Sequence, residues 1–330
     1  MNSKTTIDEF PIREIPRTAQ WSENYALLCG DPATNASVYF SCGRWLDEPT
    51  IWREVIGIVL PGGVVLTAKN YGRGATEKGP AGSLASLEIV EPERRLRLRF
   101  NGPVIATTDA ALLTQGFRDS AKSLCSLDLT FDAASPVWNM KGDSVEASTI
   151  AGGLHIEQIG TMNGQISHGG KTHDFTNGYA VRDHSRGVRD VAGYRYHCWI
   201  NGRTGSDRFF FLYGMQLQGT DSLGMSNAAV FQDGKLYPAK LLQHDFLIDP
   251  QDHLRLRTLV LGSALGEMKI RVTKLMTNFG TSMIAPYDMS PGWTQYQASA
   301  HLVDQLAAFD CDGQAGIGWV EQGFASQVLA

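Results

Sequence analysis

The strongest constraint on this chain is a period-two alternation of apolar and charged residues, a pattern that suits a strand with one buried and one wet face. Leu96-Arg97-Leu98-Arg99-Phe100 shows it, and Leu254-Arg255-Leu256-Arg257 repeats it close to half of the 330 residues later. An acidic residue and a proline, Glu91-Pro92 and Asp249-Pro250, precede the two runs at the same offset. Val59 to Val64 and Val230 to Lys235 both read as strand, tight turn, strand, each upstream of its L-R-L-R run. In Met268 to Leu275, Met268, Ile270 and Val272 alternate with Lys269 and Arg271; Leu127 to Phe131 and Arg208 to Tyr213 complete the clearest strands. One helix is expected, over Asp109 to Ser120 with Asp109 as N-cap, weakened by Gly116. The expected fold is mainly β, two tandem antiparallel barrels or sandwiches, a length of 330 residues being ample for two cores. The turn-rich stretch Trp138 to Gly153 sets the expected division into domains 1–145 and 146–330.

A net charge of -5 argues against a nucleic-acid surface, which needs clustered Lys and Arg. No apolar run reaches the ~20 residues of a membrane-spanning helix. Met1 to Arg17 has no signal-peptide core, so a cytoplasmic location is expected. The five cysteines, Cys29, Cys42, Cys125, Cys198 and Cys311, form no C-x-x-C pair and read as free thiols.

Chemistry concentrates in Arg182-Asp183-His184-Ser185-Arg186-Gly187-Val188-Arg189-Asp190, where carboxylates, an imidazole and guanidiniums are close enough to move one another's pKa. The same cluster also reads as a salt-bridged corner between strands. A strand through it would put Tyr179, Val181 and Asp183 on one face and Arg182 and His184 on the other. An apolar setting for Asp183 would raise its pKa, whereas arginines turned toward it would lower it. Alternation in Leu154 to Ile159 sets His155, Glu157 and Ile159 on one face, and Glu321 ends the strand-like run Gly318-Trp319-Val320. Each carboxylate also reads as a solvated strand residue. Tyr194, Tyr196, Trp199 and Tyr213 supply aromatic faces, as core or as cation-stabilising surfaces. Five histidines lie between His155 and His197, but His168 and His173 flank a turn, and no metal site is expected. G-x-S-x-G, P-loop and H-E-x-x-H motifs are missing from the sequence.

The order H-x-E-Q at His155 to Gln158, Gly164-Gln165-Ile166, R-D-H-S-x-G-x-R-D at Arg182 to Asp190, and G-x-G-W-V-E at Gly316 to Glu321 resembles the carotenoid 1,2-hydratase (hydroxyneurosporene synthase) and AttH-like superfamily. Trp21 to Tyr25 and Leu129 to Ala133 are similar to segments of its bacterial members. The resemblance implies two lipocalin-like barrels, an apolar ligand, and no metal or organic cofactor. Arg186 departs from it, standing where the superfamily usually has tryptophan. The expected partner is a hydrophobic small molecule, terpenoid- or steroid-like, and the leading expectation is a hydratase or dehydratase. In that reading Asp183 protonates an alkene, His184 or Arg182 tunes and orients it, and Tyr194 or Tyr213 shields the cation. Glu157 is a further candidate catalyst, and Arg182, Arg186, Tyr194, Tyr213 and Glu321 are candidate substrate contacts. An isomerase or cyclase and a non-catalytic carrier are the alternatives. A carrier should keep its charged cluster saturated and turned away from any cavity; an enzyme should turn a carboxylate into an apolar pocket.

Overall fold

Leu96, Leu98 and Phe100 are buried while Arg97 and Arg99 point outward and pair with Asp128, as period-two alternation requires. In the computed structural model this pattern belongs to one of two antiparallel rings. The structure describes residues 9–116, 121–140, 153–188, 193–221, 223–246, 252–284, 288–294 and 298–326.

The first sheet is built from β1 (Trp21–Asp31), β2 (Ala36–Arg44), β3 (Trp52–Leu60), β4 (Val64–Gly72), β5 (Ala85–Glu91), β6 (Arg95–Thr108), β7 (Lys122–Ala133), β8 (Trp138–Asn139), β9 (Leu154–His168) and β10 (Lys171–Val188). The ring runs β1-β2-β3-β4-β6-β7-β9-β10 and closes where β10 pairs with β1, from Trp21↔Val188 to Gly30↔Tyr179. The second sheet contains β11 (Tyr194–Thr204), β12 (Arg208–Leu217), β13 (Met225–Gln232), β14 (Lys235–His244), β15 (Thr258–Ser263), β16 (Gly266–Leu275), β17 (Phe279–Ile284), β18 (Asp288–Pro291), β19 (Ala298–Cys311) and β20 (Gln314–Ala325). Its ring runs β11-β12-β13-β14-β15-β16-β19-β20 and closes between β20 and β11, with β17 and β18 branching from β19. Closure pairs with each other the two strands that would form the open edges of each sheet. The fold is that of two lipocalin-like barrels, as the sequence led us to expect.

Three details differ from expectation. The sheets do not divide at 145/146: β9 and β10 lie beyond that point yet complete the first barrel, and the change of sheet falls between Val188 and Tyr194. Only pairing between distant segments closes a ring, and local composition carries no trace of it. Second, Leu254 and Leu256 are exposed in a turn, and the strand starts at Thr258, so the second L-R-L-R run is not a strand. Its arginine is tied down instead, Arg257 donating to the Asp245 and Asp252 carbonyls. Asp249 and Pro250 lie outside the described residues. Both expected hairpins form, at β3–β4 and β13–β14, in equivalent positions of the two rings. Third, the helix α1 (Asp109–Gln115) is capped by Thr108, whose side chain accepts from the Ala111 amide, and it ends at Gly116, which adopts positive φ.

Each barrel has its own core, the first around Leu27, Phe40, Ile58 and Phe131, the second around Ile200, Phe210, Leu261 and Ile270. All five cysteines are free and buried. A third cluster lies between the barrels, where Leu28, Val55, Ile159 and Val181 of the first face Trp199, Phe211, Leu306 and Trp319 of the second. Glycine brings the walls together: a Cβ on Gly30 would come 2.5 Å from Leu306, and one on Gly57 would run into the Phe279 ring. Burial of each such side chain stabilises the contact by roughly 1.5–3 kcal/mol.

Candidate active site

Because alternate residues of a closed strand point outward, β9 and β10 turn His155, Glu157, Val181 and Asp183 away from their own core and toward the second barrel. Glu157 and Asp183 are register partners. The corresponding strands of the second ring, β19 and β20, carry another pair of carboxylic residues in register, Asp304 and Glu321. The likeness extends to their partners. Trp199 Nε1 donates to Glu157 at 2.7 Å, and Trp319 Nε1 donates to Asp304 at 2.9 Å. His155 Nε2 lies 2.5 Å from Asp183, and His197 Nε2 lies 2.6 Å from Glu321. Two carboxyl pairs, each with a tryptophan and a histidine, therefore meet where the barrels abut.

Burial dominates their electrostatics. Desolvation, reinforced by Asp183, pushes the Glu157 carboxyl well above the usual range despite the Trp199 hydrogen bond. Desolvation and the adjoining Glu321 do the same to Asp304. Glu321 is pushed up by burial to about 7, poised to hold or release a proton near neutrality. Burial takes His197 down to about 4, so its imidazole is uncharged at neutral pH and its contact with Glu321 there is a hydrogen bond, not an ion pair. The Tyr194 hydroxyl lies 2.9 Å from His197 Nδ1 and continues the chain of hydrogen bonds.

One carboxyl of each pair, Asp183 and Glu321, borders a cavity of about 510 Å³ between the barrels. Asp183, His155, Glu321, His197, Tyr194 and Tyr213 line it, with Trp199 and Met140, Met215, Met283 and Met289 as apolar wall. Methionine suits a surface that must adapt to an irregular ligand. Potential ligand atoms of His155, Glu157 and Asp183 lie within 4.8 Å of one another, the spacing of a mononuclear metal site, although the His155–Asp183 contact already engages one nitrogen and one oxygen of that set.

The remaining candidates face the other way. Arg182 is buried inside the first barrel, bonded to Glu9 and to Gln158 Oε1. His184 stacks on Tyr25 with ring centroids 3.9 Å apart and lies 3.5 Å from Glu23, burial lowering its pKa. Arg186 reaches the same Glu23 at 3.8 Å. The expected roles of His184 as tuner of Asp183 and of Arg182 and Arg186 as substrate contacts therefore do not fit: each stands an odd number of residues from Asp183 along β10, which sends it to the opposite face. Arg189 and Asp190 lie outside the described residues. Asp304 was not singled out from sequence, and His197 entered only as one of five histidines set aside as a metal site; each is a polar residue in a buried run. A signal for Asp304 was available in its place, two residues before apolar Leu306 on the same face.

The sequence profile of one family, described as a domain of unknown function (DUF7064), matches residues 8–324. The chain belongs to the DUF7064 family. No match is found among curated proteins. Among solved structures, a protein assigned as AttH from Nitrosomonas europaea aligns with a TM-score of 0.58 at 13% identity, over 92% of this chain and 91% of its own. Kievitone hydratase from Nectria haematococca aligns at 0.53 and 12% identity, over 95% and 92%. CghA, solved with Sch210972, aligns at 0.52 and 12%, over 93% and 89%. At these identities the likeness is one of fold, and it agrees with the AttH-like part of the sequence resemblance and not specifically with carotenoid 1,2-hydratase. Among the described residues of this DUF7064 chain, no helix is long and apolar enough to cross a membrane.

Proposed function

We propose that the cavity between the barrels is the active site of an enzyme that uses carboxyl acid–base chemistry on an apolar, terpenoid- or steroid-like alkene. The observation that carries this reading is two carboxyl groups turned into one apolar cavity, Glu321 on one wall with its pKa raised by burial to about 7, and Asp183 on the other with His155 Nε2 2.5 Å away. In the hydration direction Glu321 gives its proton to one alkene carbon, and the positive charge forms on the other, beside Tyr213 and Tyr194. Water adds to that carbon and gives up a proton to the Asp183–His155 pair; dehydration is the reverse. If a neighbouring C–H loses its proton instead, the double bond moves and the same groups catalyse isomerisation. The cavity volume suits a small ligand. A fold neighbour named as a hydratase is consistent with this class of reaction.

The carrier reading fits less well. Arg182, His184 and Arg186 do form an inward-facing cluster, but Asp183 and Glu321 are turned into the apolar cavity. The test is deuterium incorporation at carbon when polyene, terpenoid and steroid alkenes are incubated with the protein in D2O. Glu321→Gln and Asp183→Asn should each slow incorporation by about 10²–10⁴-fold. Unchanged rates in both folded variants would refute the assignment.

A further inference from the structure

On the same wall as Asp183, three strands away across the first barrel, stands Arg53. The path β10-β1-β2-β3 covers about 14 Å of sheet at ordinary strand spacing. Arg53 lines the cavity, yet it is only 2% exposed. Nη2 donates to Ser41 Oγ at 3.1 Å, and Nε has no hydrogen-bond partner. Among the described residues no carboxylate forms an ion pair with it, whereas nearby Lys69 is matched by Asp288 at 2.6 Å. Its neighbour in sequence, Glu54, turns away and accepts from the amides of Ser83, Leu84 and Ala85. Gly43 keeps the space clear, since a Cβ there would sit 2.9 Å from Arg53 Nη2 and collide with Asn24. Tyr39 lines the same cavity, and its hydroxyl is within electrostatic reach of Arg53 and of Asp304 and Glu321.

A buried guanidinium without a counter-charge is costly unless something occupies its donors. We infer that Arg53, with Ser41 beside it, is the anchor for an anionic oxygen group, a carboxylate in its simplest form, on an otherwise apolar substrate. This rests on the cavity being the substrate site and deepens the reading above: the acidic end docks at Arg53, and the molecule's length carries its alkene toward Asp183 and Glu321. The planar fork of arginine matches a carboxylate, and the apolar wall between the two corners holds the rest.

Equilibrium binding of 9-anthracenecarboxylate and 9-anthracenemethanol at neutral pH, read by ligand fluorescence, tests this without turnover. The two probes share a ring system and differ in charge. The wild type should prefer the carboxylate by about tenfold or more, the range of a buried charge-assisted hydrogen bond. Arg53→Met should abolish that preference and leave alcohol binding within about twofold. Equal binding of both probes by the wild type, or equal loss of both in a folded Arg53→Met, would overturn the proposal. The wild-type comparison stands even if the variant does not fold. Failure of the acid–base reading is a separate result: Glu321→Gln would keep its turnover while the carboxylate preference persisted.

Discussion

Glu321→Gln offers a stability test that needs no substrate. The side chain sits in a desolvated corner with its pKa raised from 4.5 to about 7, beside a second raised carboxyl, Asp304. In the unfolded chain the glutamate ionises at its ordinary value, so between the two pKa values the folded state binds more protons. The stabilisation is thus full below about 4.5 and is lost as pH rises through about 7, an interval worth on the order of 3 kcal/mol. Glutamine imitates the protonated acid and cannot ionise. The variant should match the wild type near pH 4.5 and exceed it by on the order of 3 kcal/mol at pH 8, a Tm difference of about 4 °C for a chain of this size. Thermal and urea unfolding of both proteins across that range measure it. Parallel pH profiles for the two proteins would show that Glu321 ionises normally in the folded state, and the acid role built on it would fall.

Trp199→Phe removes the 2.7 Å donor to Glu157, whose other oxygen already lacks a hydrogen-bond partner, and should cost about 1–3 kcal/mol in urea denaturation. Arg182→Met leaves the Glu9 carboxylate buried in the first barrel without its guanidinium and should cost about 3–5 kcal/mol, with faster proteolysis near the N-terminal segment. Since Arg182 faces away from the cavity, the folded Arg182→Met protein should bind the anthracene probes as the wild type does, and a change in their affinity would contradict that placement.

The sequence made the strands legible where one face was wet. At β6 and β16 alternation names the inward residues correctly, because Arg97, Lys269 and Arg271 need solvent. The face shared by Tyr179, Val181 and Asp183 was legible for the same reason of period two. Strands at the barrel–barrel contact are buried on both sides, and there the signal fades: β11 and β19 are nearly continuous core, so nothing local marked His197 or Asp304 as a cavity residue. Arg53 hid in the same way between Trp52 and Glu54, in a strand with no exposed residue. The division between sheets was illegible for a different reason, since it depends on β10 finding β1, a partner about 150 residues earlier in the chain, a distance whose closure entropy no local motif reports.

The two carboxyl pairs on corresponding strands give the chain the character of a dimer joined end to end. In a symmetric dimer both halves of a shared site must change together, because one gene writes both. Here each half has its own codons. One wall could acquire Arg53 and the Asp183–His155 pair while the other kept Glu321 beside His197, so the proposed anchor for a substrate's end and the proposed acid for its middle can be altered one at a time.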